Sequence, residues 1–383
     1  MLCAAIKNLC VYLAEYATLT SDVENCKIVN NRSLEVIMLL FHNDYNEMCH
    51  PQVFAYMQKS LSVPMQGYGV DSSCKRAAKQ IKQICNNDSL DIHFLVGGTQ
   101  TNLIVIDAAL RPHQAAVGAE SAHIHVHETG AVEATGHKVL TLPSDDGKIT
   151  AQQIENLVVS HKTDDSFEHM AQPRLVYISN PTELGTIYSL AELEAISSVC
   201  KQHSLYLFVD GARLGYGLAA SGNDVTFADL ARLSDVFYIG GTKVGAMFGE
   251  AVVISNPTIG EDFRYLIKQH GGMLAKGWLL GLQFEALFQD NLYLTISKHA
   301  NVMADKIRKT LFDNGYPLLV EGVTNQIFPI LPDALLEVLA KNFTFSEQCR
   351  IDTEHRAVRF CTSWATKAED VDALCNALSD APK

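Results

Sequence analysis

Short apolar runs alternate with helix-like stretches from about residue 90 to about residue 254, and this alternation constrains the fold most. Strands that alternate with helices form βαβ units, in which the strands lie parallel in one sheet with helices on both faces. The pattern therefore predicts an α/β fold with a mostly parallel sheet. The predicted strands span residues 92–96, 175–178, 205–209, 236–239 and 251–254, and the predicted helices among them span 102–110 and 190–203.

The sequence changes in character after Pro257, where apolar residues at helical spacing run through 266–288 and a further helix is predicted at 301–314. The last part of the chain, which includes the apolar run 357–361, indicates a small α/β unit. A chain of 383 residues suits a large domain followed by a smaller one. The predicted division is an N-terminal extension of uncertain role at 1–40, a large domain at 41–280 and a small C-terminal domain at 281–383.

Net charge and cysteine spacing argue against several classes of function. The formal net charge is −13, and no Lys/Arg-rich stripe supplies the clustered cations that nucleic acids or anionic membrane surfaces require. No apolar run reaches membrane-spanning length, and the first twenty residues lack the charge pattern of a secretory signal. The ten cysteines form no C-x-x-C pair, which is typical of reduced cysteines. We therefore expect a cytoplasmic protein that binds neither nucleic acid nor membranes.

Two glycines and small polar residues connect the predicted strand at 92–96 to the helix that follows it. Glycine lets the backbone approach an anion closely, and a helix N-terminus offers free N–H groups and a positive dipole. Gly98 and Thr99 are therefore candidates for binding a phosphate. The spacing matches neither G-x-G-x-x-G nor G-x-x-x-x-G-K-[ST], which disfavours dinucleotide and ATP binding. The alternative is an ordinary turn capped by Thr99 or Thr101.

Asp210 and Lys243 each follow an apolar strand, at the edge where open α/β sheets bind ligands. A buried carboxylate favours a cation beside it, for instance a protonated pyridine nitrogen. A lysine becomes a nucleophile when burial or neighbouring cations lower its pKa, and the residues around Lys243 are small and apolar. The alternatives are an Asp210–Arg213 pair that caps the next helix and a solvent-exposed lysine in a glycine-rich turn.

Three histidines alternate in the segment 121–128 and would share one face if that segment were a strand. They are His123, His125 and His127. Imidazoles are common metal ligands, but one of them could instead stack on a ligand ring while the others are structural. The sequence therefore carries a second hypothesis of a different class, a metal-binding or regulatory protein built on these side chains.

Taken together and in this order, the segments from about Phe41 to the C-terminus resemble the L-threonine aldolase family. That family belongs to the aspartate-aminotransferase-like class of pyridoxal-phosphate enzymes. The resemblance implies a large domain with a mostly parallel seven-stranded sheet and a smaller C-terminal α/β domain. The stretch before Phe41 has no counterpart in the family pattern. The matching segments are 41–46 (FHNDYN), 66–71 (QGYGVD), 98–102 (GTQTN), 122–128 (AH with the later E), 180–185 (NPTELG), 209–213 (VDGAR), 241–243 (GTK) and 358–360 (VRF).

The resemblance implies a role for each residue of the cofactor site. Lys243 would bind pyridoxal phosphate covalently, as a Schiff base. Asp210 would pair with the pyridinium nitrogen, and His123 would stack on the face of the ring. The residues that would bind the phosphate are Gly98, Thr99 and Thr242.

The resemblance also implies how the substrate carboxylate is bound. Arg359 would grip it, because the planar arginine fork matches a carboxylate. Arg213 would lie near this carboxylate and the phenolic oxygen of the cofactor. Asn43 stands where many members have a serine that helps to bind the carboxylate. The candidates for the base that takes the β-hydroxyl proton are His123, His169 and Glu183.

The implied activity is the cleavage of β-hydroxy-α-amino acids, such as L-threonine and L-allo-threonine, to glycine and an aldehyde. A β-eliminating lyase of the same fold would keep Lys243 and Asp210 but change the leaving group, and it is the alternative enzyme. The resemblance further implies a small-molecule substrate, no bound metal, and a homo-oligomer. That tetramer or dimer would have its active sites at the subunit interface.

Overall fold

The alternating segments fold into a central seven-stranded sheet in the computed structural model, which describes residues 38–380. The strands are β1 (Leu39–Leu40), β2 (Asp91–Leu95), β3 (Gln114–Ala119), β4 (Lys138–Leu142), β5 (Gln172–Ser179), β6 (Tyr206–Asp210), β7 (Val236–Gly240), β8 (Glu250–Ile254), β9 (Gln326–Ile327), β10 (Ile330–Pro332), β11 (Phe343–Thr344), β12 (Ser346–Arg350) and β13 (His355–Cys361).

Helices connect these strands, and one short 3-10 turn, Phe167–His169, precedes β5. The α-helices are α1 (Pro51–Gln58), α2 (Ser72–Ile84), α3 (Gly98–Ala109), α4 (His123–Val126), α5 (Ala131–Ala134), α6 (Ala151–Thr163), α7 (Leu190–His203), α8 (Leu214–Leu218), α9 (Phe227–Leu233), α10 (Pro257–Gly260), α11 (Phe263–Gln269), α12 (Trp278–Leu287), α13 (Leu292–Asp313), α14 (Asp333–Leu339) and α15 (Ala368–Ser379).

The large sheet has the strand order β2-β8-β7-β6-β5-β3-β4. Strand β8 runs antiparallel to both of its neighbours, β2 and β7, and the pairs from β7 to β4 are parallel. The carboxyl ends of six strands therefore meet at one edge, where β8 contributes its amino end. The prediction of a mostly parallel seven-stranded sheet is confirmed.

Burial explains why the central strands were readable from the sequence. Every residue of β7 and of β8 is buried, because helices cover both faces of the sheet, and such strands are continuous apolar runs. Helix α7 occupies its predicted span because Ser189 and Glu192 form a capping box at its start. Its C-cap, Ser204, adopts the left-handed conformation that ends the helix.

Two strands and one helix start were missed because their residues have low intrinsic propensity. Strand β3 has the sequence QAAVGA, whose alanines and glycine are depleted in strands, and β4 has an exposed lysine and a partly exposed core-facing run. Helix α3 begins at Gly98 rather than at Asn102, because its first turn is made of glycine and threonine. The apolar region at 266–288 is two helices, α11 and α12, separated by residues 270–277.

A second hydrophobic core lies under the C-terminal strands β9, β10, β12 and β13. Helix α13 joins the two cores, because Ile296 packs in the first and Ile307 in the second. Phe41, expected in the large domain, packs in the second core beside Phe343 and Phe360. The second core supports a smaller C-terminal unit, although residues 38–380 belong to one compact unit. The predicted boundaries stay predictions, and residues 1–37 of the extension lie outside the described residues.

The helices between residues 38 and 380 include none with both the length and the apolar character needed to cross a membrane.

Candidate active site

The residues singled out in the sequence converge at the edge where six strands end and β8 begins. Asp210 is the last residue of β6, Lys243 follows the end of β7 by three residues, and Gly98 starts the helix that follows β2. They line a cavity of about 180 Å³. Its other lining residues include Thr99, His123, Ser179, Glu183, Arg213, Tyr238, Thr242 and Glu250.

Asp210 is buried and held by four donors. The hydroxyls of Tyr177 and Tyr238, from the strands on either side, donate to its two oxygens at 2.5 Å each. The Asn102 amide donates at 3.2 Å and the Ala212 backbone N–H at 2.9 Å. Burial and the charge of Asp210 raise the pKa of both tyrosines, so each stays a neutral donor. The carboxylate is thus fixed in place, ready to accept a hydrogen bond from a protonated ring nitrogen.

The amine of Lys243 lies in the same cavity and is partly shielded from solvent. Burial lowers its pKa, the nearby Arg213 cation lowers it further, and Asp44, Asp210 and Glu250 act in the opposite direction. A lysine with a lowered pKa has a larger neutral fraction, which is the nucleophilic form. The Tyr216 hydroxyl donates to the Lys243 carbonyl and fixes the backbone there. The alternative of a solvent lysine in a flexible turn is therefore wrong.

His123 begins α4 and is oriented by a buried glutamate. Its Nδ1 lies 2.8 Å from Oε1 of Glu128, and the same oxygen accepts from the Asn102 amide at 2.8 Å. Because Asn102 also donates to Asp210, one amide connects the carboxylate that holds His123 with the carboxylate at the far end of the cavity. The backbone N–H of His123 donates to Glu183 at 3.1 Å. The ring of His123 is fixed at the cavity wall, where a flat cofactor could stack on it.

The three histidines do not share one face, because their segment is the helix α4 rather than a strand. Helical spacing instead brings His127 beside His123, with ring centroids 5.6 Å apart. His127 lines the neighbouring larger cavity, and His125 is outside both. The described residues contain no group of three or more side chains able to hold a metal ion. The strand on which the metal hypothesis was built is absent from this segment.

The phosphate end of the cavity is formed by the first turn of α3. Its N-cap is Gly97, and no side chain caps the helix. Thr101, proposed as an alternative cap, donates its hydroxyl to the Gly97 carbonyl at 3.0 Å, and Thr99 lines the cavity. The alternative of an ordinary capped turn is therefore wrong. The uncapped N–H groups of this turn suit an anion.

A larger cavity of about 510 Å³ adjoins the first and shares four of its lining residues. The shared residues are His123, Glu183, Arg213 and Lys243. Arg359, on β13, lines this larger cavity, and its guanidinium donates to the His42 carbonyl at 2.9 Å and to Gln326 at 3.3 Å. Its Nε is buried without a hydrogen-bond partner among the described residues. Arg359 therefore keeps a donor available for an anionic ligand.

Arg213 is bound differently from the sequence expectation. Its Nε and Nη2 donate to the two oxygens of Asp44 at 2.7 and 3.0 Å, and Asp44 is fully buried. The fork expected to face a substrate carboxylate is thus occupied by this residue of its own chain. Arg213 still lines both cavities, where its Nη1 is the remaining group. It also does not pair with Asp210, so the helix-capping alternative is wrong.

Two predicted site residues lie away from the cavities. His169 is exposed in the 3-10 turn before β5, and the amino end of a parallel strand is opposite the edge that holds Asp210 and Lys243. It therefore cannot act as the base of this site. Asn43 accepts a hydrogen bond from the Tyr45 backbone N–H at 2.9 Å, and it lines neither cavity. Its neighbours Asp44 and Tyr45 are the residues of this segment that reach the site.

The donor set fits pyridoxal phosphate. Lys243 is an amine for the aldehyde, Asp210 is a carboxylate for the ring nitrogen, and His123 presents a ring for stacking. The first turn of α3 supplies N–H groups for the phosphate. Each part of the cofactor thus has a matching group around one cavity.

A span of the chain from residue 50 to residue 329 matches the beta-eliminating lyase family. The chain belongs to this family. A low-specificity L-threonine aldolase from Pseudomonas sp. (strain NCIMB 10558) is 32% identical over 83% of this chain and 94% of the relative. The low specificity L-threonine aldolase of Saccharomyces cerevisiae is 26% identical over 70% of this chain and 68% of the relative. The resemblance read from the motifs is confirmed.

Solved structures extend this family assignment to the fold. A threonine aldolase from Leishmania major is 44% identical, with a TM-score of 0.87 over 89% of this chain and 98% of its own. An aspartate aminotransferase from Thermus thermophilus is 13% identical, with a TM-score of 0.68 over 93% of this chain and 94% of its own, a likeness of fold alone. The predictions of a lyase, of its fold class and of pyridoxal phosphate as cofactor are confirmed.

Proposed function

We propose that this chain cleaves β-hydroxy-α-amino acids, with L-threonine and L-allo-threonine as substrates, to glycine and an aldehyde. The observation that carries the proposal is the position of Lys243 where the two cavities meet. The smaller cavity has groups for the cofactor, and the larger one has Arg359 with a free donor. The relatives named threonine aldolase agree with this assignment.

Pyridoxal phosphate, when bound, supplies a ring that accepts the electron pair released when the Cα–Cβ bond breaks. The protein residues control the charges around that ring. Asp210 keeps the ring nitrogen protonated, because a fixed buried carboxylate favours a cation beside it. Its orientation depends on Tyr177 and Tyr238, which cannot lose their protons near neutral pH. Lys243, with its lowered pKa, acts as the amine nucleophile and later as a proton carrier at Cα.

The substrate is oriented from the other cavity. Arg359 binds the α-carboxylate, and two hydrogen bonds to His42 and Gln326 hold its guanidinium in place. The β-hydroxyl then points toward the wall shared by the two cavities, where Glu183 lies. Oε1 of Glu183 accepts from the Ser179 hydroxyl at 2.6 Å and from the His123 N–H, and no described residue donates to Oε2. Glu183 is therefore the better placed acceptor for the β-hydroxyl proton, with His123 beside it.

The decisive experiment is product analysis with L-threonine and with L-allo-threonine. Retro-aldol cleavage gives glycine and acetaldehyde in equal amounts. The β-eliminating lyase alternative, which the family description keeps in view, would give an α-keto acid and ammonia from a β-substituted amino acid such as cysteine. Glycine and acetaldehyde from either threonine isomer support the proposal. Turnover of β-substituted substrates without cleavage of either isomer would overturn it.

We further propose that the chain forms a homo-oligomer with the site near the subunit interface. Large apolar side chains are exposed along one segment of the chain, and one of them, Tyr45, also lines the larger cavity. They are Tyr45, Met48, Phe54, Leu61, Val63 and Tyr68. Burial of such side chains against a second subunit would stabilise the assembly. Sedimentation of the holoenzyme should show a dimer or tetramer, and a fully active monomer would contradict this.

A further inference from the structure

Glu250 is a buried carboxyl group at the phosphate end of the smaller cavity, and none of the steps above uses it. It is the first residue of β8, and it reaches the site edge because that strand runs antiparallel to its neighbours. Only 3% of its surface is exposed. Its Oε1 accepts from the Thr242 hydroxyl at 2.8 Å, and its Oε2 accepts from the Gly241 N–H at 3.1 Å. It lines the same cavity as Gly98.

An ionised Glu250 would conflict with phosphate binding by Thr242. A threonine hydroxyl has one proton, and an ionised carboxylate can only accept, so the Thr242 proton would be committed to Glu250. The Gly249 N–H donates to the same hydroxyl oxygen at 3.0 Å, so Thr242 Oγ1 has no second proton to offer. A dianionic phosphate would in addition lie beside a buried negative charge.

We propose that Glu250 is a positioning residue that is protonated when pyridoxal phosphate is bound. Its carboxyl O–H donates to Thr242 Oγ1, which frees the Thr242 proton to donate to the phosphate. The inference rests on the proposed cofactor site, and it assigns Glu250 a role in selecting a phosphorylated cofactor.

The surroundings of Glu250 support the protonated form. Burial raises its pKa to about 8, although the hydrogen bond from Thr242 and the charge of Lys243 act in the opposite direction. The titratable groups that face it are Lys243 after β7, Asp210 at the end of β6, Tyr238 on β7 and Tyr293 on α13. The neighbouring β2 residue, Leu95, is apolar, and α12 contributes Phe284 beside Gly249. A bound phosphate adds negative charge and raises the pKa of Glu250 further.

The variant Glu250→Gln imitates the protonated carboxyl at every pH. Its amide oxygen can accept from the Gly241 N–H, and its amide nitrogen can donate to Thr242 Oγ1. The variant Thr242→Val removes the hydroxyl through which Glu250 would act. Pyridoxal, which lacks the phosphate, is the matched control ligand because it makes the same ring contacts.

The experiment titrates the full-length chain with pyridoxal phosphate and with pyridoxal, and follows absorbance at several pH values. The quantity of interest is the ratio of the Kd for pyridoxal to the Kd for pyridoxal phosphate. For the unmodified chain, this ratio should fall by about tenfold between about pH 7 and pH 9, because the protonated fraction of a group titrating near 8 falls by about that factor. The free phosphate is already dianionic across this range, since its second pKa is about 6.

For Glu250→Gln the ratio should stay constant over the same range, and for Thr242→Val it should be low and constant. A constant ratio in the unmodified chain, or an equal fall in Glu250→Gln, would overturn the inference. Threonine cleavage is measured separately on the same preparations. A chain that shows the expected pH dependence but cleaves no threonine supports the role of Glu250 and refutes the proposed reaction. A chain that binds no pyridoxal phosphate refutes both.

Discussion

Arg213 donates to both oxygens of the Asp44 carboxylate, and this pair is buried between the sheet edge and the N-terminal segment. Burial by itself would raise the pKa of Asp44, but the charges of Arg213 and Lys243 hold that pKa below its usual range. Asn325 also donates to Asp44, at 2.9 Å. The pair therefore joins a residue of the segment before α1 to the residue that separates the cofactor end from the substrate end.

The first prediction is that Asp44→Asn destabilises the protein by about 3 kcal/mol, because it leaves the buried Arg213 cation without its partner. The shift in the midpoint of guanidinium unfolding measures this effect. Glu194→Gln is the matched control, because it removes one partner of the exposed pair between Arg232 and Glu194. The control should leave the midpoint unchanged. Equal midpoints for Asp44→Asn and the unmodified chain would show that the buried pair does not stabilise the fold.

The second prediction concerns the pH dependence of that difference. The folded-state pKa of Asp44 is lowered, so its contribution is fully present above the unfolded value, about 3.9 for an aspartate. The contribution is lost as the pH falls through the folded value. The stability gap between the unmodified chain and Asp44→Asn should therefore be constant near neutral pH and shrink below about pH 4. A gap that grows in acid would contradict the assignment of the charge to Asp44.

The third prediction is that Asp210→Asn lowers kcat by about 10²-fold to 10³-fold, because the group that holds the ring nitrogen protonated is lost. Tyr238→Phe removes one of four donors to Asp210 and should cost about fivefold, the equivalent of about 1 kcal/mol. Steady-state cleavage of L-threonine gives both numbers. Full activity in Asp210→Asn would remove Asp210 from the mechanism.

Much of the site edge could be predicted from the sequence, because apolar strands show where Asp210 and Lys243 emerge. Strand ends in a parallel sheet meet at one edge, so residues far apart in the chain could be assigned to one site. The seven-stranded sheet was predicted on the same basis. The short strand β3, built from small residues, gave no such signal.

The supporting residues could not be predicted, because their roles depend on register and packing. Tyr177 lies inside an apolar strand and looks like a core residue until the register places it next to the strand that ends in Asp210. Glu128 was noticed only as part of a motif, and its contact with His123 depends on the helical turn that the segment adopts. Asp44 was quoted in the opening motif, but nothing local indicates that it occupies the Arg213 fork.

The fourth prediction is that Arg359→Lys lowers kcat/KM about tenfold to a hundredfold, mainly through KM, because lysine keeps the charge but loses the planar fork. Glycine binding, followed by the absorbance of the bound cofactor, should weaken in parallel, since glycine shares the α-carboxylate. Arg356→Lys is the matched control on the same strand, where the arginine binds Asp333 and Glu347 at the surface. Unchanged glycine affinity in Arg359→Lys would assign the carboxylate to another group.

The fifth prediction separates Glu183 from His123 as the acceptor of the β-hydroxyl proton. Burial raises the pKa of Glu183, the Ser179 hydroxyl partly opposes this rise, and the charge of Asp210 adds to it. A base must be unprotonated, so kcat/KM for threonine should decline as the pH falls through the pKa of Glu183. Glu183→Gln should lower kcat/KM about 10²-fold or more and abolish that decline.

His123→Asn is the comparison that makes this test specific. It removes the ring that stacks on the cofactor, so it should weaken cofactor binding, yet the acid decline set by Glu183 should persist. Glycine has no β-hydroxyl, so its binding to Glu183→Gln should be close to normal, which distinguishes a lost base from a damaged site. If the decline disappears in His123→Asn and persists in Glu183→Gln, the proton passes to His123, and Glu183 only orients the backbone of α4 through its hydrogen bond to the His123 N–H.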